Sequence, residues 1–106
     1  MKRYRIEDMK GGWFVGNFEP TAYKTKAAEV CLKRHPKGEV WPSHYHAVAT
    51  EINLLFRGSM RLNGDMLREG DVFVIEPGEV AAPVFLSDCE IVVVKVPSLS
   101  NDKFET

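Results

Sequence analysis

His44 and His46 stand one residue apart in the stretch HYHAVATE, which ends in Glu51, and the chain has only one other histidine. Imidazole nitrogens with one carboxylate are donors for Fe(II), Mn(II), Ni(II), Co(II) or Zn(II), and too rich in nitrogen for magnesium or calcium. What that set can do depends on the backbone beneath it. On a helix, positions i and i+2 point about 200° apart, and Pro42 discourages a helix here. On a strand, i and i+2 share a face, so both imidazoles look to one side. Glu51 lies an odd step beyond His46 and returns to that side only if the chain bends over residues 47–50 and re-enters as a new strand. That strand carries Glu51, Asn53 and Leu55 on one face, with Ile52 and Leu54 on the other.

The elements that must position these groups are strands. No heptad, sustained helical period or repeat is present. Short β-rich runs alternate with turn signals instead: GWFVGNF (12–18), AAEVCLKRH (27–35), TEINLLFRG (50–58), SMRLNGDML (59–67), VFVI (72–75), VAAPVFL (80–86) and EIVVVKV (90–96). Asn63-Gly64 reads as a two-residue hairpin turn, because both central positions favour positive φ. Short strands with regular turns predict an all-β sandwich or barrel in a single domain, 1–106, with residues 97–106 as an extended, partly ordered tail.

Spacing around the histidines resembles a known family. Gly38, His44, His46, Glu51 and Gly58 match the first motif of the cupin superfamily (38–58). The run from Gly70, GDVFVIEPGEVA, is similar to the second (70–85). The resemblance implies a cupin-type double-stranded β-helix, a jelly-roll barrel, whose mouth holds a divalent metal on His44, His46 and Glu51. It implies oxygenase or sugar isomerase/epimerase chemistry on a small molecule, and pairing of two chains as a homodimer. The match breaks at position 81, where the family's fourth ligand, a histidine, is Ala81; the asparagine often found four residues later is Phe85. Three readings follow. His44, His46 and Glu51 form a complete triad beside a widened pocket; or Glu79 substitutes as a fourth ligand; or metal affinity is lost and the barrel binds a small molecule of carbohydrate type, or only its twin.

Other residues carry weaker signals. Asn53, sharing a face with Glu51, reads as a pocket hydrogen bonder or an orienter of that carboxylate. Trp41, Leu55, Ala81 and Phe85 are assigned to the pocket lining, with packing as the alternative for Trp41, Leu55 and Phe85. His35, before Pro36, reads as a solvated loop residue, and Tyr45 points away from its histidine neighbours. Trp13, Phe14 and Phe18 either anchor a dimer or cap their own barrel. Arg34, Arg57 and Arg61 show no spacing that singles out an anion site. Cys31 and Cys89 lie in apolar runs and read as buried thiols.

Composition narrows the function classes. Net charge is −1 over 106 residues, with 44% hydrophobic and 27% charged, so no nucleic-acid or anionic-membrane footprint is visible. No apolar run is long enough to span a bilayer. The charged opening MKRYRIEDMK does not read as a secretory signal, and a cytoplasmic location is expected. A metal-dependent enzyme, a small-molecule-binding module and a dimerising scaffold remain.

Overall fold

A computed structural model describes all of residues 1–106. After two short 3₁₀ turns, Ile6–Asp8 and Lys10–Gly12, the chain is built of strands. They are β1 (Trp13–Gly16), β2 (Tyr23–Lys24), β3 (Glu29–His35), β4 (His44–His46), β5 (Thr50–Arg57), β6 (Ser59–Leu62), β7 (Asp65–Arg68), β8 (Val72–Ile75), β9 (Pro83–Phe85), β10 (Cys89–Val96) and β11 (Lys103–Glu105). One sheet runs β2-β1-β3-β10-β5-β8. Facing it are β7-β6-β9 and the pair β11-β4, linked by isolated bridges Val40–Val84 and His44–Ala81. This is the jelly-roll arrangement expected.

Alternation decides what lies between the sheets. Glu29, Cys31, Lys33 and His35 of β3 share one face, as do Cys89, Ile91, Val93 and Lys95 of β10 and Glu51, Asn53 and Leu55 of β5. Cross-strand pairing sorts them into inward rows: Glu29–Lys95–Glu51–Ile75 nearest one end, then Cys31–Val93–Asn53–Phe73, then Lys33–Ile91–Leu55. The core is Cys31, Leu55, Met60, Phe85, Cys89, Ile91 and Val93, and both cysteines are free and buried. Burial of an isolated thiol disfavours the thiolate and pushes Cys31 up to about 12.

Two turns have a clear local cause. Asn63 (φ 52°) and Gly64 (φ 88°) join β6 to β7 as the hairpin read from sequence. Gly58, between β5 and β6, has φ 95°, and a Cβ there would lie 2.3 Å from the Asp88 carbonyl oxygen and 2.8 Å from Cys89 Sγ. Close approach of backbone requires the glycine.

Part of the tail joins a sheet. Residues 103–105 form β11, antiparallel to β4 with Lys103 opposite His46 and Phe104 opposite Tyr45. Stacking of Tyr45 on Phe104, ring centroids 5.5 Å apart, explains why this end is ordered. No helix is long and apolar enough to cross a membrane.

Candidate metal and ligand site

β4 is only three residues long, and its position is set by its neighbours. His44 and Ala81 exchange both backbone hydrogen bonds, at 3.0 and 2.7 Å, and the His46 carbonyl accepts the Gly78 N–H at 2.7 Å. The second-motif segment therefore lies directly beside the histidines, and Ala81 faces His44. Past His46 the chain turns sharply, and Asp102 holds the turn. Its carboxylate accepts the Val48 N–H at 3.0 Å and the Ala49 N–H at 2.9 Å, and its carbonyl accepts the Ala47 N–H at 3.1 Å. The bend sends the chain into β5 with Glu51 on the same side as the imidazoles, as the odd spacing required. Nothing in the spacing pointed to Asp102.

His44, His46 and Glu51 line one cavity of about 250 Å³ between the sheets. The two rings lie edge to face, centroids 5.7 Å apart. Nδ1 of His44 donates to the Pro42 carbonyl at 3.0 Å. A carbonyl only accepts, so the hydrogen sits on Nδ1 and Nε2 keeps its lone pair, the tautomer that a metal ligand needs. Nε2 of His46 is buried and has no hydrogen-bond partner, alone in this among the buried side-chain nitrogens and oxygens of the chain. Burial, reinforced by the charge of Lys95 and opposed by Glu51, holds His46 below the ordinary histidine range, so this ring is neutral near pH 7. Oε2 of Glu51 accepts from the Asn53 amide at 3.2 Å, the orienting contact anticipated for Asn53.

Two lone-pair imidazoles and an oriented carboxylate fit a transition metal in donor chemistry. The three side chains are not, however, gathered into a closed ligand cluster, and no group of three or more His, Cys, Asp or Glu is so placed anywhere in the chain. Glu79 does not supply the missing donor. It is exposed in the turn before Ala81, and its carboxylate accepts the Glu76 N–H at 3.1 Å. A residue in the tight turn follows the turn's own hydrogen bonding.

Asn53, Ala81, Phe85 and Trp41 line the cavity. Leu55 does not: it is fully buried in the core. His35 is also misplaced by the sequence reading. It ends β3 on the inward face, buried, stacked on Phe85 and edge-on to Trp41. Its Nδ1 donates to Glu39, which also accepts the Trp41 indole N–H at 2.8 Å. Those hydrogen bonds, His35 first, lower the Glu39 carboxyl. Trp13 is likewise part of the lining, with Phe18 against it edge to face at 6.5 Å.

Three charged lining residues had no signal assigned to them: Lys33, Lys95 and Lys103. Lys33 and Lys95 occupy inward strand positions, and Lys103 comes from the tail. Strand parity would have found the first two once the face of β3 was known.

No protein-family model matches the chain, and no curated protein matches it in sequence. Solved structures do match. A protein with a double-stranded β-helix domain from Klebsiella pneumoniae superposes with a TM-score of 0.68 at 20% identity, over 77% of this chain and 72% of that one. An RmlC-like cupin protein from Ralstonia eutropha gives 0.61 at 18% identity, over 77% and 57%. The chain has the cupin fold. DMSP lyase DddQ from Ruegeria pomeroyi gives 0.71 at 19% identity; it shares this cupin barrel over 89% of the present chain and 49% of its own. At such identities the likeness is one of fold, and function must be argued from the cavity.

Proposed function

We propose that this cupin acts on a small molecule in its barrel cavity, with a divalent transition metal held by His44, His46 and Glu51. The observation that carries the reading is the orphaned Nε2 of His46, in a cavity shared with the free Nε2 of His44 and with Glu51. A buried polar atom without a partner costs about 1–3 kcal/mol, a cost that a ligand removes. Fe, Mn, Ni, Co and Zn all suit the donor set. A bound metal would polarise a ligand oxygen or lower the pKa of a bound water. Asn53 orients the Glu51 carboxylate, Pro42 fixes the His44 tautomer, and Trp41, Phe73 and Ile75 exclude bulk water. Turnover of the oxygenase or sugar isomerase/epimerase type is the activity such a site supports. Ala81 in place of a fourth ligand, and the open arrangement of the three donors, favour a second reading: ligand binding without turnover.

The test is metal content of the purified protein by elemental mass spectrometry, beside His44→Ala/His46→Ala. Near-stoichiometric metal in the parent and none in the variant is expected. No metal in either after reconstitution with each of the five ions would overturn the metal reading.

We also propose a homodimer, through a different surface from the N-terminal aromatics. On the outward face of the large sheet, two cross-strand rows are wholly apolar: Val30–Val94–Ile52–Val74 and Leu32–Val92–Leu54–Val72. Val72 is 66% exposed and Val74 48%. Along one border Glu90 sits between Arg34 and Arg57, so a second copy turned through a two-fold axis can set opposite charges together. Val72→Glu/Val74→Glu should convert a dimer to a monomer by light scattering after size exclusion. A parent that is itself monomeric would refute the assignment.

A further inference from the structure

The lysines of the cavity point to its ligand. We propose that the ligand is a small organic carboxylate and that Lys33, Lys95 and Lys103 form its anion subsite; this rests on the reading of the barrel cavity as the ligand site.

The charges around the cavity do not balance. Three lysines line it against one carboxylate, Glu51. Lys95 is bridged to Glu29 at 3.8 Å, and Glu29 in turn accepts the Ser98 hydroxyl at 3.1 Å. Lys33 and Lys103 make no ion pair at all. They are held at the cavity by aromatic faces: Lys33 lies 5.7 Å and Lys95 4.9 Å from the ring centre of Trp13, and Lys103 lies 4.4 Å from that of Trp41. An indole face orients an ammonium group but leaves its charge whole.

A lysine on an inward strand position is a poor choice for packing. An exposed position, such as that of Arg34, would hold the charge at no penalty. Two such lysines and a third from the tail, converging on one cavity, repel one another until an anion joins them. A metal on the histidines would add two more positive charges and strengthen the same demand. The remaining walls choose among anions. Met60, Leu62, Phe73, Ile75 and Pro83 are apolar members of the lining, so a carbon frame fits where a fully hydrated inorganic ion would leave apolar surface uncovered. At about 250 Å³ the cavity admits an acid of a few carbons. No arginine lines it, so the subsite offers point charges on flexible stems and no planar fork.

Titration calorimetry of the purified chain with malonate, succinate and glutarate tests this, at low salt and at concentrations of order 10 mM, enough to detect a millimolar Kd. Succinamide and inorganic phosphate serve as controls. Each titration is run on metal-free and on metal-loaded protein. At least one diacid should bind in both forms and weaken as salt rises, and succinamide should not bind. Lys33→Gln/Lys103→Gln should weaken that diacid at least tenfold, while Lys33→Arg/Lys103→Arg retains it. Circular dichroism confirms that both variants fold, and the arginine pair keeps the test valid if the glutamine pair does not. Binding only with metal, indifferent to the glutamine pair, would overturn the lysine subsite and leave the metal reading standing. Lysine-dependent binding by a chain that takes no metal would do the reverse. Absence of binding by every diacid, or equal binding of phosphate or succinamide, would also overturn the proposal.

Discussion

The two chemical walls of the cavity are built in opposite ways. The imidazole wall is a three-residue strand near the rim, held by the Ala81 backbone, by β11 and by Asp102. Two members of the lysine wall lie on seven- and eight-residue strands at the centre of the large sheet. One wall depends on the last residues of the chain for its geometry; the other takes Lys103 from them but has Lys33 and Lys95 on the framework. Groups on long central strands are positioned by sheet register, whereas groups on a short rim strand need a dedicated clamp.

Removing the clamp should have the largest effect. Asp102→Ala leaves two backbone N–H groups at the bend without a partner, at about 1–3 kcal/mol for each that solvent does not recover. A clear drop in melting temperature is expected, with metal affinity weakened more than diacid affinity. Equal losses at both would show that the walls are not independently built. Ala81→His sharpens the contrast from the other side. It sets a third imidazole beside His44 and should tighten metal binding at least about tenfold, or 1.4 kcal/mol, by competition against a chelating dye. Unchanged affinity would mean that position 81 does not face the metal.

A smaller effect follows from protonation of the metal-free protein. The folded pKa of His46 lies below the ordinary 6.5, so below that pH the unfolded chain takes up a proton that the folded one refuses. The contribution to stability is complete above about 6.5 and is lost as pH falls through the lower folded value. Melting temperature should decline as pH falls below about 6.5, and less steeply in His46→Gln. The smallest expected signal comes from beneath the lysine wall. With its thiol pushed up to about 12 by burial, Cys31 should resist alkylation at pH 8 in the native protein and react freely once unfolded. Rapid native labelling would show that the framework opens locally there.

How much could be read from sequence differs between the walls for a physical reason. His44, His46 and Glu51 were legible because strand parity and one forced bend put three unusual donors on one side, and the flanking glycines marked the turns. Lys33 and Lys95 were not, because a lysine in a strand is ordinarily an outward residue, and which face of β3 is inward emerges only from pairing with β10. His35 was taken for a loop residue because Pro36 follows it, yet the strand runs through His35 before the turn begins. Leu55 was expected at the cavity because it shares a face with Glu51, but it is fully buried in the core, while Lys33 and Ile91 of its own row reach the lining. Glu79 lies exposed in a turn, where strand parity does not set the direction of a side chain. Asp102 and Lys103 belong to a tail with no periodicity, whose order comes from contacts with β4 distant in sequence.

The most direct test of the central claim is anomalous diffraction from crystals grown with Co(II). The account predicts one strong peak in the cavity, about 2.0–2.2 Å from Nε2 of both His44 and His46, with Glu51 completing the site. A peak bound elsewhere, or none in the cavity at full cobalt loading, would contradict it.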